Sequence, residues 1–463
     1  VTSGTSGSDV VLYTSSGAMT LKNKANQYFW LKTGSSSAVY TMVGGGIENT
    51  VNNTVVSGTS YNDKIKNSGS NVTILAGDGA DTVYNTGAST RIYAGGGNDS
   101  IYNNSGNYVT ISGGDGADNI YDAGSYSYHS IDGGYGNDYI TNYAYYSTIL
   151  GGYGSDSIWS YGSYNRIYGG YGDDYVYNGG YATIDGGDGY DTINSYYGYS
   201  SINGGAGADR ISLYSYNNSS YYGRATVRGG AGNDTIYGNS LMSSSGYGVL
   251  YQYAYGDGYD TIFGVTSVDT ISVDSGAVTS GTSGSDVVLY TSSGAMTLKN
   301  KKGSYFWLKN GSGSAVQTVI GSYNDDMYIS NTNSNTVIST GAGNDTIYNT
   351  GKTVKITTGG GNDSIYSSNR TYRQAYVTID AGDGNDTISG LFGDSSVYGG
   401  AGDDKISLAG DVDRVTINGG TGNDTVYFDN NDGRNVYQYA SGDGADVIYY
   451  LQSADTISVS GGS

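Results

Sequence analysis

The pattern Gly-x-Gly-x-Asp-x-(Ile/Val), or a close variant, occurs sixteen times in this chain, mostly about eighteen residues apart. Examples are GGGNDSI at 95–101, GGDGADNI at 113–120, GGYGNDYI at 133–140, GGAGNDTI at 229–236 and GGTGNDTV at 419–426. Such regularity predicts one structural unit stacked many times, and one chemical site copied with it. A fixed carboxylate beside glycines that turn backbone carbonyls toward a centre suits a hard cation.

The register follows from the aspartates. The first series is Asp81, Asp99, Asp118, Asp138, Asp156, Asp174, Asp191, Asp209, Asp234 and Asp260; the second is Asp345, Asp363, Asp386, Asp404, Asp424 and Asp446. Two residues after each stands Ile or Val, from Val83 to Ile448. Seven residues before each stands another apolar residue, such as Ile74, Ile131 or Ile417, with Tyr253 and Tyr439 taking this place in the last loop of each series. Aliphatics therefore recur every nine residues while the aspartate loop takes every second nonapeptide. A coil of two short strands and two turns accounts for both periods, with Gly and Asp in one turn and Ser, Asn, Gly and Tyr in the other.

These nonapeptides resemble the repeats-in-toxin (RTX, haemolysin-type calcium-binding) family, over roughly 57–263 and 321–449. The resemblance implies an all-β, right-handed parallel β-roll, a β-solenoid, loaded with several Ca²⁺ ions. Members of that family often carry aspartate loops on both edges; here Thr90 and Tyr108 occupy the alternate positions. One row of ions along one edge is therefore expected, about nine between the ten loops of the first series and about five in the second. Asp63 and Asp325, in degenerate first loops, are expected as further ligands. Asp78, Asp115, Asp188 and Asp257 are expected to add charge without a specific bond.

Composition agrees. Of 463 residues, 79 are Gly and 52 Tyr, with neither Pro nor Cys. Proline has no place in a stacked parallel sheet, and without cysteine there is neither a disulfide framework nor a thiolate site. A net charge of −21 argues against nucleic acid and anionic membranes as partners and suits bound divalent cations. No run is apolar enough for membrane insertion. Position 1 is Val1, as expected of a processed chain or part of a longer one.

A longer repeat overlies the short one. Residues 1–24 recur unchanged at 278–301, and NQYFWLKTGS at 26–35 resembles GSYFWLKNGS at 303–312. Two tandem modules with capping segments follow. A head at 1–56 precedes a roll with its closing segment at 57–277; a head at 278–320, repeating 1–46, precedes a roll at 321–463. VVLY at 10–13 and AMTL at 18–21 read as a hairpin, and Tyr28, Phe29 and Trp30 as a plug for an open roll end or as an aromatic ligand patch.

The residue three past each aspartate faces outward, giving a ladder that includes Tyr84, Tyr102, Tyr121, Trp159 and Tyr177. Such a ladder stabilises stacked coils and also offers an interface to another chain or a glycan. Catalysis has no support: there is one histidine, His129, expected to face solvent, and no nucleophile elbow. The expected role is a secreted structural protein of an extracellular filament, sheath or bacterial surface layer, assembled head to tail as a homopolymer through Val1, Val10 and Val11. A calcium-dependent adhesin, or the calcium-folding portion of a larger secreted protein, is the alternative.

Overall fold

The computed structural model describes residues 2–6, 9–14, 17–22, 24–25, 27–31, 39–43, 46–124, 128–196, 198–214, 224–238, 248–274, 278–321, 325–368, 376–391, 393–409, 414–428 and 433–460. Val1 lies outside them. Among the described residues every regular element is a strand. The chain divides into two compact units, Val1–Gln252 with Gly256–Asp260, and Tyr253–Tyr255 with Thr261–Ser463. The division falls ahead of residue 277, so the end of the first closing segment packs with the second head.

The first unit is a β-solenoid. Each coil supplies one strand to each of two parallel sheets. In one sheet Thr73–Asp78, Arg91–Gly96, Thr110–Asp115 and Ser130–Tyr135 follow one another in register, placing Ile74, Ile92, Ile111 and Ile131 in a column. In the other, Thr82–Asn85, Ser100–Asn103 and Asn119–Asp122 align Val83, Ile101 and Ile120. Strand side chains alternate between faces, and these aliphatics are fully buried while their neighbours are half-buried or exposed. The core is thus two facing columns of β-branched side chains, matching the nine-residue aliphatic period. The last coil departs from it: Val227 pairs with Tyr251, two residues before the expected Tyr253, because this coil is longer.

The second unit repeats the architecture, with Ile338, Ile356, Ile379, Val397 and Ile417 facing Ile347, Ile365, Ile388, Ile406 and Val426. Ile417 pairs with Tyr437 rather than Tyr439. Both heads contain an antiparallel three-stranded meander, Thr2–Ser6, Asp9–Thr14 and Gly17–Leu21 in one and Thr279–Ser283, Asp286–Thr291 and Gly294–Leu298 in the other, in the same register. An antiparallel pair follows in each, Tyr28–Leu31 with Val39–Val43 and Phe306–Asn310 with Val316–Ile320, before the first parallel coil.

Candidate metal centre

All ten aspartates of the first series line one edge of the first unit and are buried, at 1–2 % exposure. Glycines just before each make the turn that carries them. Gly134 and Gly136, for example, have φ of 113° and 119°, a region that L side chains rarely enter. Each aspartate Oδ1 accepts the backbone N–H of the corresponding residue one coil earlier. The bonds run without a break from Asp63 N–H to Asp81, and on through the series to Asp260, at 2.7–3.0 Å. In the second unit the same row runs from Met327 N–H through Asp345 to Asp446.

The second carboxylate oxygen is the informative one. Oδ2 is buried without a hydrogen-bond partner in Asp81, Asp99, Asp118, Asp138, Asp156, Asp174, Asp191, Asp209 and Asp234, and again in Asp345, Asp363, Asp386, Asp404 and Asp424. Native structures leave few buried polar atoms unpaired, so a whole row of such oxygens calls for an explanation. Burial raises the pKa values of these groups. Those of Asp81, Asp138 and Asp209 rise to about 7, those of Asp99, Asp118 and Asp156 to about 6, and those of Asp174 and Asp260 to about 8, with neighbouring carboxylates adding to the rise in several.

Backbone carbonyls complete the set. A methyl group placed on Gly133 would come within 2.3 Å of Asp138 Oδ2 and 2.4 Å of Gly151 O, one coil further on. Gly113 with Asp118 and Gly133 O, and Gly399 with Asp404 and Gly419 O, repeat the arrangement. Among the described residues no three acidic or histidine side chains converge on one point. Each site therefore offers one carboxylate and backbone carbonyls, an all-oxygen donor set that fits Ca²⁺. When bound, the ion supplies the positive charge these oxygens lack.

The model of the RTX calcium-binding nonapeptide repeat matches residues 57–87, 91–109, 149–180, 185–214, 221–240, 330–348, 380–415 and 407–433. The stacked coils are RTX repeats. No curated protein matches the chain. The RTX loops coincide with the orphaned carboxylates, and the ends of each row differ from the middle. Asp63 is capped by Thr59, whose N–H and hydroxyl donate to its carboxylate. Asp446 Oδ2 accepts the Tyr437 hydroxyl at 2.5 Å. Asp325 is not in the row: it is exposed and paired with Lys302, and Met327 holds its place, two residues further along. Asp257 is not a loose charge either, since it is buried and takes both Arg228 Nε and a terminal Arg228 nitrogen, the latter at 2.6 Å.

The opposite edge of the RTX coils holds what sequence reasoning missed. Asn49, Asn67, Asn85 and Asn103 form a buried ladder, each Nδ2 donating to the next carboxamide oxygen at 2.6–2.8 Å and the last to Asp122 Oδ1 at 2.7 Å. Asn331 and Asn349 begin a second ladder. The head aromatics cap them: the Tyr28 hydroxyl meets Asn49 Oδ1, and that of Tyr305 meets Asn331 Oδ1 at 3.3 Å. The signal was an Asn four residues past several loop aspartates. His129 does not face solvent. It is 2 % exposed, with Nδ1 2.7 Å from Asp122 Oδ2 and Nε2 3.0 Å from Gly106 O. Val109 rather than Tyr108 stands opposite the aspartate row, because that coil is one residue longer.

The outward ladder is in register, with Tyr84, Tyr102, Tyr121, Thr141, Trp159 and Tyr177 paired in sequence. Stacking leaves its rings half-buried, Tyr84 and Tyr102 at a centroid separation of 5.0 Å. Val10 is buried with Leu12 in the head, and Val11 is half-buried.

Proposed function

We propose that this chain is a secreted, calcium-ordered structural protein whose copies join head to tail into an extracellular filament, sheath or surface layer. The supporting observation is a contrast between copies of one sequence. Met19 is 60 % exposed and its counterpart Met296 only 2 %. In the second unit the head lies against a closing segment: Thr270–Val273 runs parallel to Phe306–Asn310, Lys299 N–H bonds Ile262 O at 2.9 Å, and Ile271 and Val273 are buried. The matching closing strand Thr456–Ser460 leaves Ile457 47 % and Val459 68 % exposed. The exposed head of one copy and the exposed closing strand of another carry the counterparts of residues that are buried at the internal junction. A contact between two different faces of one chain propagates into a filament when the rotation between copies does not close a ring.

Deleting residues 1–13 tests this by negative-stain imaging in calcium. The expected result is soluble, calcium-folded monomers in place of filaments. Filaments of unchanged repeat from the truncated chain would refute the junction. A denatured mass several times 48.2 kDa would show the junction to be covalent.

A further inference from the structure

The turn opposite the aspartate row contains a backbone anomaly. Its last residue lies in the left-handed region, where Asn53, Asn71, Ser89 and Asn335 are ordinary occupants. In consecutive coils of the first unit, however, the residue is Tyr108 (φ 60°), Tyr128 (39°), Tyr146 (56°) and Tyr164 (65°), and beyond them Tyr199 (61°). A bulky side chain at positive φ is strained, and strain repeated in register points to function.

These rings form a row with Tyr181. From Tyr108 to Tyr164 they stack at 5.0–5.9 Å with interplanar angles of 22° or less. The stack then opens: Tyr181 is tilted 50° from Tyr164, and Tyr199 77° from Tyr181. Tyr128, Tyr146, Tyr164 and Tyr199 remain 50–59 % exposed. Along the row, from Tyr128 to Tyr199, runs an open groove of about 660 Å³ that also includes Thr183 and the exposed Arg166.

We propose that this groove binds a linear acidic polysaccharide. A peptide added as a strand would need free backbone donors. Those of Tyr128, Tyr146 and Tyr164 are bonded to the carbonyls of Tyr145, Ser163 and Tyr181. The groove instead presents phenolic hydroxyls, exposed tyrosine rings and one guanidinium, which suit sugar hydroxyls, sugar C–H faces and a uronate carboxylate respectively. Among the described residues Arg166 is the only charged group in its lining, in a chain of net charge −21, so the local complementarity is for an anion.

The test uses the full chain in calcium, titrated calorimetrically with a short oligouronide, too short to gel, and with a neutral gluco-oligosaccharide of equal length. The key variant replaces Tyr128, Tyr146, Tyr164 and Tyr199 with Asn, the residue this turn carries elsewhere. The expected result is oligouronide binding by the parent, lost at least tenfold in the variant, whose thermal midpoint is unchanged or higher. R166Q is expected to abolish the preference for the acidic sugar. Absence of binding by the parent, equal binding by the Asn variant, or an equal preference for the neutral sugar would each overturn the proposal. So would a variant that only loses stability, which would make the row structural. Self-association of the parent that the variant abolishes, without oligouronide binding, would assign the groove to a second copy.

Discussion

Asp156→Asn should change sign with calcium. In the parent, Asp156 Oδ1 accepts the Asp138 N–H at 2.7 Å, a bond that asparagine keeps. Oδ2 is buried without a partner and stands around the same point as Gly169 O. Without calcium, asparagine replaces a buried carboxylate by a neutral amide whose N–H₂ can donate to that carbonyl. The relief is about 1–3 kcal/mol, the usual penalty of a buried unsatisfied group. With calcium at a hundred times its dissociation constant, each site contributes about 2.7 kcal/mol, which the variant loses at one site or more. The calcium arm is read as the urea midpoint by circular dichroism. The calcium-free arm is read as the concentration of trimethylamine N-oxide, an osmolyte that favours burial, needed to restore β-structure. The variant should unfold at lower urea than the parent in calcium and refold at lower osmolyte in chelator. A shift of the same sign in both arms would refute the assignment of the orphaned oxygens to an ion.

Three further outcomes follow from the same geometry. His129→Ser alone should cost about 3–5 kcal/mol, because it strands the buried Asp122 carboxylate. Adding Asp122→Asn should recover most of that loss, since Asn142 and Ser147 hold these two register positions in the next coil; a purely additive double-mutant cycle would contradict the pairing of His129 with Asp122. Ile140→Asp should destabilise more than Asp138→Ala. The first buries a charge in the two-column core, whereas the second removes one acceptor and one ligand; urea melts in calcium compare them. Asp81, Asp156 and Asp174 have folded-state pKa values raised to about 7, 6 and 8, above their unfolded values. In chelator their contribution to stability is therefore present below about pH 4 and lost as pH rises through 6–8. With calcium, protons compete for the same oxygens. The calcium concentration at half-folding should rise as pH falls from 8 to 6, and a pH-independent midpoint would exclude these carboxylates as ligands.

The solenoid was legible because two independent periods, the aspartate's and the aliphatic's, agree only in a two-stranded coil. The aspartate row was legible for the same reason. What escaped depended on coil length. Asp118 and Asp138 are twenty residues apart, so counting in eighteens does not place His129 against Asp122. Tyr251 and Tyr437 take core places that simple counting gave to Tyr253 and Tyr439, again because the closing coils are longer. The asparagine ladder was hidden by chemistry rather than spacing. Asn67 and Asn85 sit among Ser, Thr and Gly and read as turn formers, yet burial makes their carboxamides a hydrogen-bonded column. Asp325 failed because its loop ends two residues early, leaving Met327 in the row.

The most direct measurement is far-ultraviolet circular dichroism of the chelated chain during calcium titration, with bound calcium counted calorimetrically at the same time. The account predicts little β-structure in chelator, a cooperative rise with added calcium, and many ions bound per chain at its completion. Identical spectra with and without calcium, or a full rise with no calcium bound, would contradict it.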